Sequence, residues 1–294
     1  MAIVRRTPPN LKLRGVSPVF GKWFSFCNHA SYRISALFPE KIPTVFVAGF
    51  PKSGTSWVTQ VVSDYLRWPF IDLSFFPIGS PAVIHCHFLP KAGRPAMIYV
   101  VRDARDIIVS LYFHLVRAIP EGDNPPIPKH LIPYFRGLKN KDHVHDFLPI
   151  FIKRHFERPY GTSRNWNQHL IAYRRLGDTA PPLLRYEDLL DTPFDAFKGA
   201  LVGLTGDEDF NEEQLRQSIE RFSFERQTGR NRGEANAKSF LRSGKSGDWR
   251  NYFTKESAEV FWELYAEGMK AAGYEEGNDW ISELQQEQAK KWTN

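Results

Sequence analysis

The chain has 294 residues, of which 42% are hydrophobic and 14% aromatic, enough apolar material for a sizeable core. No uncharged apolar run reaches membrane-spanning length, the basic start lacks the apolar stretch of a secretory signal, and Cys27 and Cys86 have neither metal-type nor disulfide-framework spacing. The expectation is a soluble cytoplasmic protein in a reducing compartment. The formal net charge of +6 fits either a solvated basic surface or an anionic ligand.

In chain order, "TVFVAGF" (44–50) predicts a strand, and "SGTSWVTQVVSDYLRW" (53–68) a helix with apolar residues at helical spacing. "AMIYVVRD" (96–103) is a continuous apolar run and predicts a buried parallel strand. It leads into a helix over "ARDIIVSLYFHLVRA" (104–118) with Asp103 as N-cap. The proline-rich 119–133 segment is expected to be a mobile surface loop. "PPLLRYEDLL" (181–190) predicts a third strand and turn, followed by helices over "DTPFDAFKGALVGLTG" and "NEEQLRQSIERFSFE". The segment 227–249 is glycine-rich, basic and too poor in apolar residues for a regular element, so it is expected to fold over a ligand; 254–275 predicts a long helix. Strands alternating with helices imply an α/β domain with a central parallel sheet flanked by helices. That domain spans 44–275, with an N-terminal extension (1–43) packing on it and a C-terminal tail (276–294).

The stretch "FVAGFPKSGTSWV" (46–58) carries the chemistry. Gly49 and Gly54 have the spacing of a G-x-x-x-x-G-K-[ST] phosphate loop, but Thr55 stands at its lysine position and Lys52 lies inside the loop. A strand-to-helix loop binds anions because the first helical N–H groups have no internal acceptor and the helix dipole favours negative charge there. Here Ser53, Thr55 and Ser56 add hydroxyls and Lys52 a full charge. A magnesium-nucleotide site would also need a strand-end aspartate. The second strand instead ends at Arg102, which suits a second phosphate group better than a metal.

Four stretches in order resemble the cytosolic-type sulfotransferases, which use 3′-phosphoadenosine 5′-phosphosulfate (PAPS). "PKSGTSW" resembles their 5′-phosphosulfate loop and "VVRDARDIIVS" their 3′-phosphate motif. "RYEDL" is similar to their adenine-contacting segment, and "FLRSGKSGDWRNYFT" (240–254) to their R-x-G-x-x-G-D-W signature. The resemblance spans about residues 44 to 260 and implies a P-loop-like single-domain fold that transfers a sulfuryl group from PAPS to a hydroxyl or amine, with no metal. It implies Lys52 at the leaving oxygen and His87 as general base. It places Arg102, Ser110, Arg242 and the backbone near Gly244 at the 3′-phosphate, and Trp57, Tyr186, Ser223 and Phe224 at the adenine. Phe240 and Ser243 join the donor site through the signature segment. Departures are His85 where the family has lysine, Ser243 where it has lysine (with Lys245 nearby), and Phe222 where it has threonine. Either one positive donor is missing at position 85 or a partly protonated His85 takes its place, and His85 is also the fallback base. Asp248 and Trp249 are expected to hold the glycine-rich flap. Arg250, Thr254 and Glu259 fit loosely a family dimerisation motif, which Lys255 weakens, so a homodimer is only what that motif would imply.

The acceptor is expected to contact 68–81, 119–133 and 273–280. The Phe and Pro content of 68–81 leans toward an apolar or aromatic alcohol or phenol, with a lipid or sugar left open. Rival classes are a P-loop kinase and a nucleotide-binding relative without catalysis. Lys and Arg are scattered rather than striped, so no nucleic-acid partner is expected. The His pairs at 85–87 and 143–145 lack metal-ligand spacing with Cys or carboxylates.

Overall fold

A computed structural model of the chain describes residues 43–293 apart from 73–80, 91–95, 122–125 and 139–142, with a few residues between 30 and 41. Most of the 1–43 extension, including Cys27, lies outside the described residues, as does most of the 68–81 segment. Among the described residues, five strands form one sheet: β1 (Thr44–Gly49), β2 (Phe70–Asp72), β3 (Ala82–Cys86), β4 (Met97–Val101) and β5 (Leu183–Arg185), in the order β2-β3-β1-β4-β5. Every pairing is parallel. All six residues of β1 are buried, which is why it reads as an unbroken apolar run. Val45 and Val47 face one core cluster, and Phe46 and Ala48 face another on the opposite side. From β1 the sheet continues to β3 on one side and β4 on the other. The crevice beyond the carboxyl end of β1 is therefore the place where a doubly covered parallel sheet takes a ligand.

Helix α1 (Thr55–Leu66) follows β1, and α2 (Ala104–Val116) follows β4. Asp103 caps α2 by accepting from the Arg105 amide at 2.8 Å. The end of the 119–133 segment, from Lys129 on, is more regular than its prolines predict. A 3-10 turn at Lys129–Leu131 runs into α3 (Ile132–Phe135), with Pro133 in its first turn, and Leu131, Tyr134 and Phe135 enter the core. Proline fits a first helical turn because that N–H has no acceptor anyway. Then come α4 (Val144–Glu157), α5 (Trp166–Arg174), α6 (Tyr186–Asp191), α7 (Pro193–Thr205), α8 (Glu212–Arg221), α9 (Phe224–Thr228) and α10 (Lys255–Ala271). The 276–294 tail folds mostly as α11 (Asp279–Thr293), whose Trp280, Ile281 and Leu284 are buried in the cluster that contains Trp249 and Phe261. Among the described residues, no helix is long and apolar enough to cross a membrane.

Candidate active site

The loop between β1 and α1 is built from unusual backbone. Lys52 has φ 71° and Gly54 φ 95°, both left-handed. That conformation costs a non-glycine residue about 1–2 kcal/mol. A Cβ on Gly54 would fall 2.6 Å from the Tyr186 ring, so only glycine lets α6 close against the loop. Thr55 and Ser56 take the first two helical positions, where N–H groups lack an acceptor within the helix, and the first turn carries no acidic side chain. Above them Lys52 Nζ lies 4.2 Å from the centre of the Phe240 ring. Burial, followed by the charges of Arg117, Arg102 and Arg242, pushes the Lys52 ammonium down to about 7.

Two histidines are attached to the two ends of this loop. His85, in β3 and in register with Val47, shares a hydrogen bond with the Thr55 hydroxyl through Nε2 at 2.8 Å. His87, just past β3, bonds the Gly49 carbonyl through Nδ1 at 2.8 Å. A carbonyl only accepts, so Nδ1 carries the proton and the basic lone pair belongs to Nε2. The two rings stand nearly perpendicular, 4.8 Å apart.

Arg102, at the end of β4, is buried against the Tyr186 ring at 4.1 Å. It donates to the carbonyls of Lys52 at 3.4 Å and Lys245 at 3.2 Å, and so ties the loop to the glycine-rich flap. The flap has no regular element between Gly229 and Gly247, as its composition predicts. Arg230 shapes it by donating to the Arg242 carbonyl at 2.9 Å and the Ser239 hydroxyl at 3.1 Å. Asp106, fully buried, anchors its end by accepting from the Gly247 and Trp249 amides at 2.7 and 3.1 Å and from the Ser246 hydroxyl at 3.2 Å. Arg242 pairs with Asp248. Trp249 is sandwiched between the Arg105 guanidinium, at 4.1 Å, and its core neighbours. Gly244 has φ 63°, and a Cβ there would sit 2.4 Å from the Phe224 ring.

These parts enclose a cavity of about 350 Å³. Lys52, Gly54, Thr55, Ser56, Trp57, His87, Arg102, Ser110, Tyr186, Phe224, Phe240, Arg242, Ser243 and Gly244 all line it, with His85 beside them. Ser53 and Ser223 do not. Ser53 is fully buried under the loop, and the Ser223 hydroxyl caps α9 by accepting from the Arg226 amide at 3.2 Å. The 273–280 segment is also absent from the wall. The Tyr274 hydroxyl there donates to Glu187 at 2.8 Å, and Trp280 packs on Trp249. Local pattern missed Asp106, which reads as an ordinary first-turn acid, and Tyr160, which has no neighbouring motif. His114 could have been found, because it lies four residues after Ser110 and so on the same helix face. Three buried polar atoms of wall residues have no hydrogen-bond partner among the described residues: Trp57 Nε1, Arg102 Nε and Arg242 Nε. Such atoms cost roughly 1–3 kcal/mol each when unpaired, so their clustering fits a polar ligand.

A parallel sheet whose carboxyl edge opens on one cavity lined by a strand-to-helix loop, buried arginines and two histidines fits a nucleotide-dependent group transferase. Residues 78–273 match the sulfotransferase domain family, and the chain belongs to that family. The match begins after the 46–58 loop. Among curated relatives, sulfotransferase 1A1 of Canis lupus familiaris is 27% identical over 277 residues, covering 78% of this chain and 84% of that protein. Flavonol 3-sulfotransferase of Flaveria bidentis is 25% identical over 281 residues, covering 78% and 82%. Two solved structures share the fold. Mouse sulfotransferase SULT7A1 complexed with PAP superposes with a TM-score of 0.55 at 21% identity, covering 82% of this chain and 88% of that one. Retinol dehydratase in complex with androsterone and inactive cofactor PAP superposes with a TM-score of 0.53 at 20% identity, covering 82% and 86%. The chain is a sulfotransferase of the type that acts on small molecules.

Proposed function

We propose that the chain transfers the sulfuryl group of PAPS to the hydroxyl, or amine, of a small-molecule acceptor, releasing adenosine 3′,5′-bisphosphate (PAP). One observation carries the reading: a base and a cation stand at one loop. His87 is fixed by the Gly49 carbonyl at the start of the turn that presents Lys52. His87 Nε2 takes the acceptor proton. As the acceptor oxygen bonds to sulfur and the sulfur–oxygen bond to the 5′-phosphate breaks, Lys52 meets the charge on the departing oxygen. Thr55 and Ser56 hold the 5′ end with the α1 amides. Arg102, Ser110 and Arg242 hold the 3′-phosphate beside Ser243 and Gly244. Trp57, Tyr186 and Phe224 flank the adenine, and Phe240 covers Lys52. Ser53 and Ser223 support the loop and the adenine wall from behind. The three unpaired buried atoms of the wall and the two glycines that a Cβ would block favour this fit.

Lipid alcohols belong to the same acceptor chemistry. A homodimer through 250–259 gains no support, because Thr254 caps α10 while Arg250 and Glu259 pair within the chain with Glu287 and Lys255. Equilibrium binding of PAP, and PAP release from PAPS across an acceptor panel with and without chelator, test the reading. Binding plus acceptor-dependent, chelator-insensitive release is expected. Neither binding nor release with any acceptor would sink it, and chelator-sensitive ATP turnover would favour the kinase alternative.

A further inference from the structure

Among the described residues, the cavity wall carries Lys52, Arg102, Arg232 and Arg242 and no aspartate or glutamate. The donor accounts for Lys52, Arg102 and Arg242. Arg232 is occupied by the Leu190 carbonyl at 2.9 Å and by Glu225 at 3.4 Å. A further basic pair stands unassigned. Ser110, His114 and Arg117 follow one another at i, i+4 and i+7, so the face of α2 that begins at the 3′-phosphate site continues past it. The Arg117 guanidinium donates to His114 Nδ1 at 2.8 Å, which leaves the ring proton on Nε2. The His114 ring meets Phe240 edge-on at 6.0 Å and Tyr160 at 6.2 Å, so it sits between the flap and the 160–161 turn, on the Lys52 side.

The cavity wall at this corner presents the His114 imidazole N–H, and the half-buried Arg117 guanidinium lies next to it, off the wall and bonded to His114 Nδ1. Among the described residues no carboxylate pairs with Arg117. Its charge is instead the first to weigh on Lys52 after burial, while burial, Lys52 and Arg117 together push His114 down to about 4. An apolar acceptor would leave the His114 N–H without a partner, whereas an anion accepts from it and is drawn by the Arg117 charge beside it.

We infer that this corner recognises an anionic group on the acceptor: the substrate is a hydroxyl compound that also bears a carboxylate or a phosphate, which accepts from His114 Nε2–H and is attracted by the charge of Arg117 beside it, while its hydroxyl meets His87. The inference rests on the sulfotransferase reading above and narrows the acceptor class from neutral alcohols and phenols to anionic ones.

The test uses the full chain, PAPS and matched phenols: 4-hydroxyphenylacetate, the corresponding phosphonate, the corresponding amide, and tyramine. Turnover is measured, and so is direct binding to the PAP-saturated protein, so that a compound bound unproductively still counts. The acids should exceed the amide by on the order of tenfold in kcat/KM and in affinity, with tyramine lowest and the preference shrinking in added salt. Comparison of the carboxylate and phosphonate arms names the anion. Arg117→Gln should erase the difference between acid and amide, and Arg117→Lys should restore part of it. Equal binding and turnover of acid and amide by the unaltered protein would overturn the inference. So would a loss of PAP affinity in Arg117→Gln that matches the loss of acid preference, since the corner would then serve the donor. Absence of PAP binding and of all turnover in the unaltered protein would instead defeat the sulfotransferase reading, and this inference with it.

Discussion

Lys52 must be a cation in the company of three arginines, and its titration is the most direct reading of the site. In the empty cavity its ammonium lies near 7, because burial and the like charges of Arg117, Arg102 and Arg242 disfavour the proton. A nucleotide carrying two phosphate groups offsets those charges and raises the value again. Above pH 7 the empty site therefore holds a largely neutral lysine that takes up a proton on binding. PAP affinity should fall as pH rises past 7, toward about tenfold per unit. Calorimetry at pH 8 in two buffers of different ionisation enthalpy should register proton uptake that Lys52→Met removes. No uptake by the unaltered protein would mean that Lys52 does not face the ligand. The two histidines separate by the same kind of argument. His85 Nε2 is engaged with Thr55, whereas the bond from His87 to Gly49 uses Nδ1 and leaves Nε2 as the basic nitrogen. His87→Ala should lower turnover by roughly 10²–10⁴-fold with PAP affinity within a few-fold. An inactive His85→Ala beside an active His87→Ala would reverse the assignment.

At the scale of elements, the flap depends on one carboxylate in the first turn of α2. Asp106 satisfies two backbone amides and a hydroxyl of the flap while standing 3.9 Å from Arg102. Asp106→Ala would leave those amides unpaired at roughly 1–3 kcal/mol each and Arg102 without that carboxylate. The expected result is weaker PAP binding together with faster limited proteolysis within 229–247, partly suppressed by saturating PAP. Unchanged proteolysis would show that Trp249 packing alone holds the flap. The strand, loop and helix at 44–66, the Asp103 cap and Arg102 at the strand end were legible in the sequence because each rests on local spacing. The irregular flap was legible from its glycine and charge content. The anchor was not, since Asp106 differs from a solvent-facing helix acid only through partners about 140 positions away. β2 escaped notice because three residues carry no period. α4 was obscured by Pro149 in its interior, and α5 by a short run with little amphipathic contrast. The proline-rich 119–133 segment misled only at its end, where Ile132 and Pro133 enter a helical turn.

Across the whole molecule, acid should loosen the site through the core rather than through surface charge. His155 and His169 are fully buried and both meet Phe50 edge-on, at 5.8 and 5.3 Å. Phe50 is the residue with which the chain leaves β1 for the loop. Burial pushes both imidazoles down to about 3, with the charge of His87 adding a smaller effect on His169. Between pH 6.5 and 3 the unfolded chain therefore binds protons that the folded chain refuses. Stability is fully present above the unfolded value and drains away as pH falls through that window. His155 isolates the effect. Its Nε2 has no partner among the described residues, its Nδ1 lies a long 3.4 Å from the Tyr265 hydroxyl, and its ring stacks on Phe151 at 5.9 Å. Phenylalanine has nearly the same shape and no proton to bind. Thermal melts from pH 8 to 5 should show a falling midpoint for the unaltered protein and a shallower fall for His155→Phe, with the two curves closest at pH 8. Parallel curves would locate the acid sensitivity elsewhere, and the first place to look would be the buried carboxylate Asp106, whose protonation would release the flap from α2.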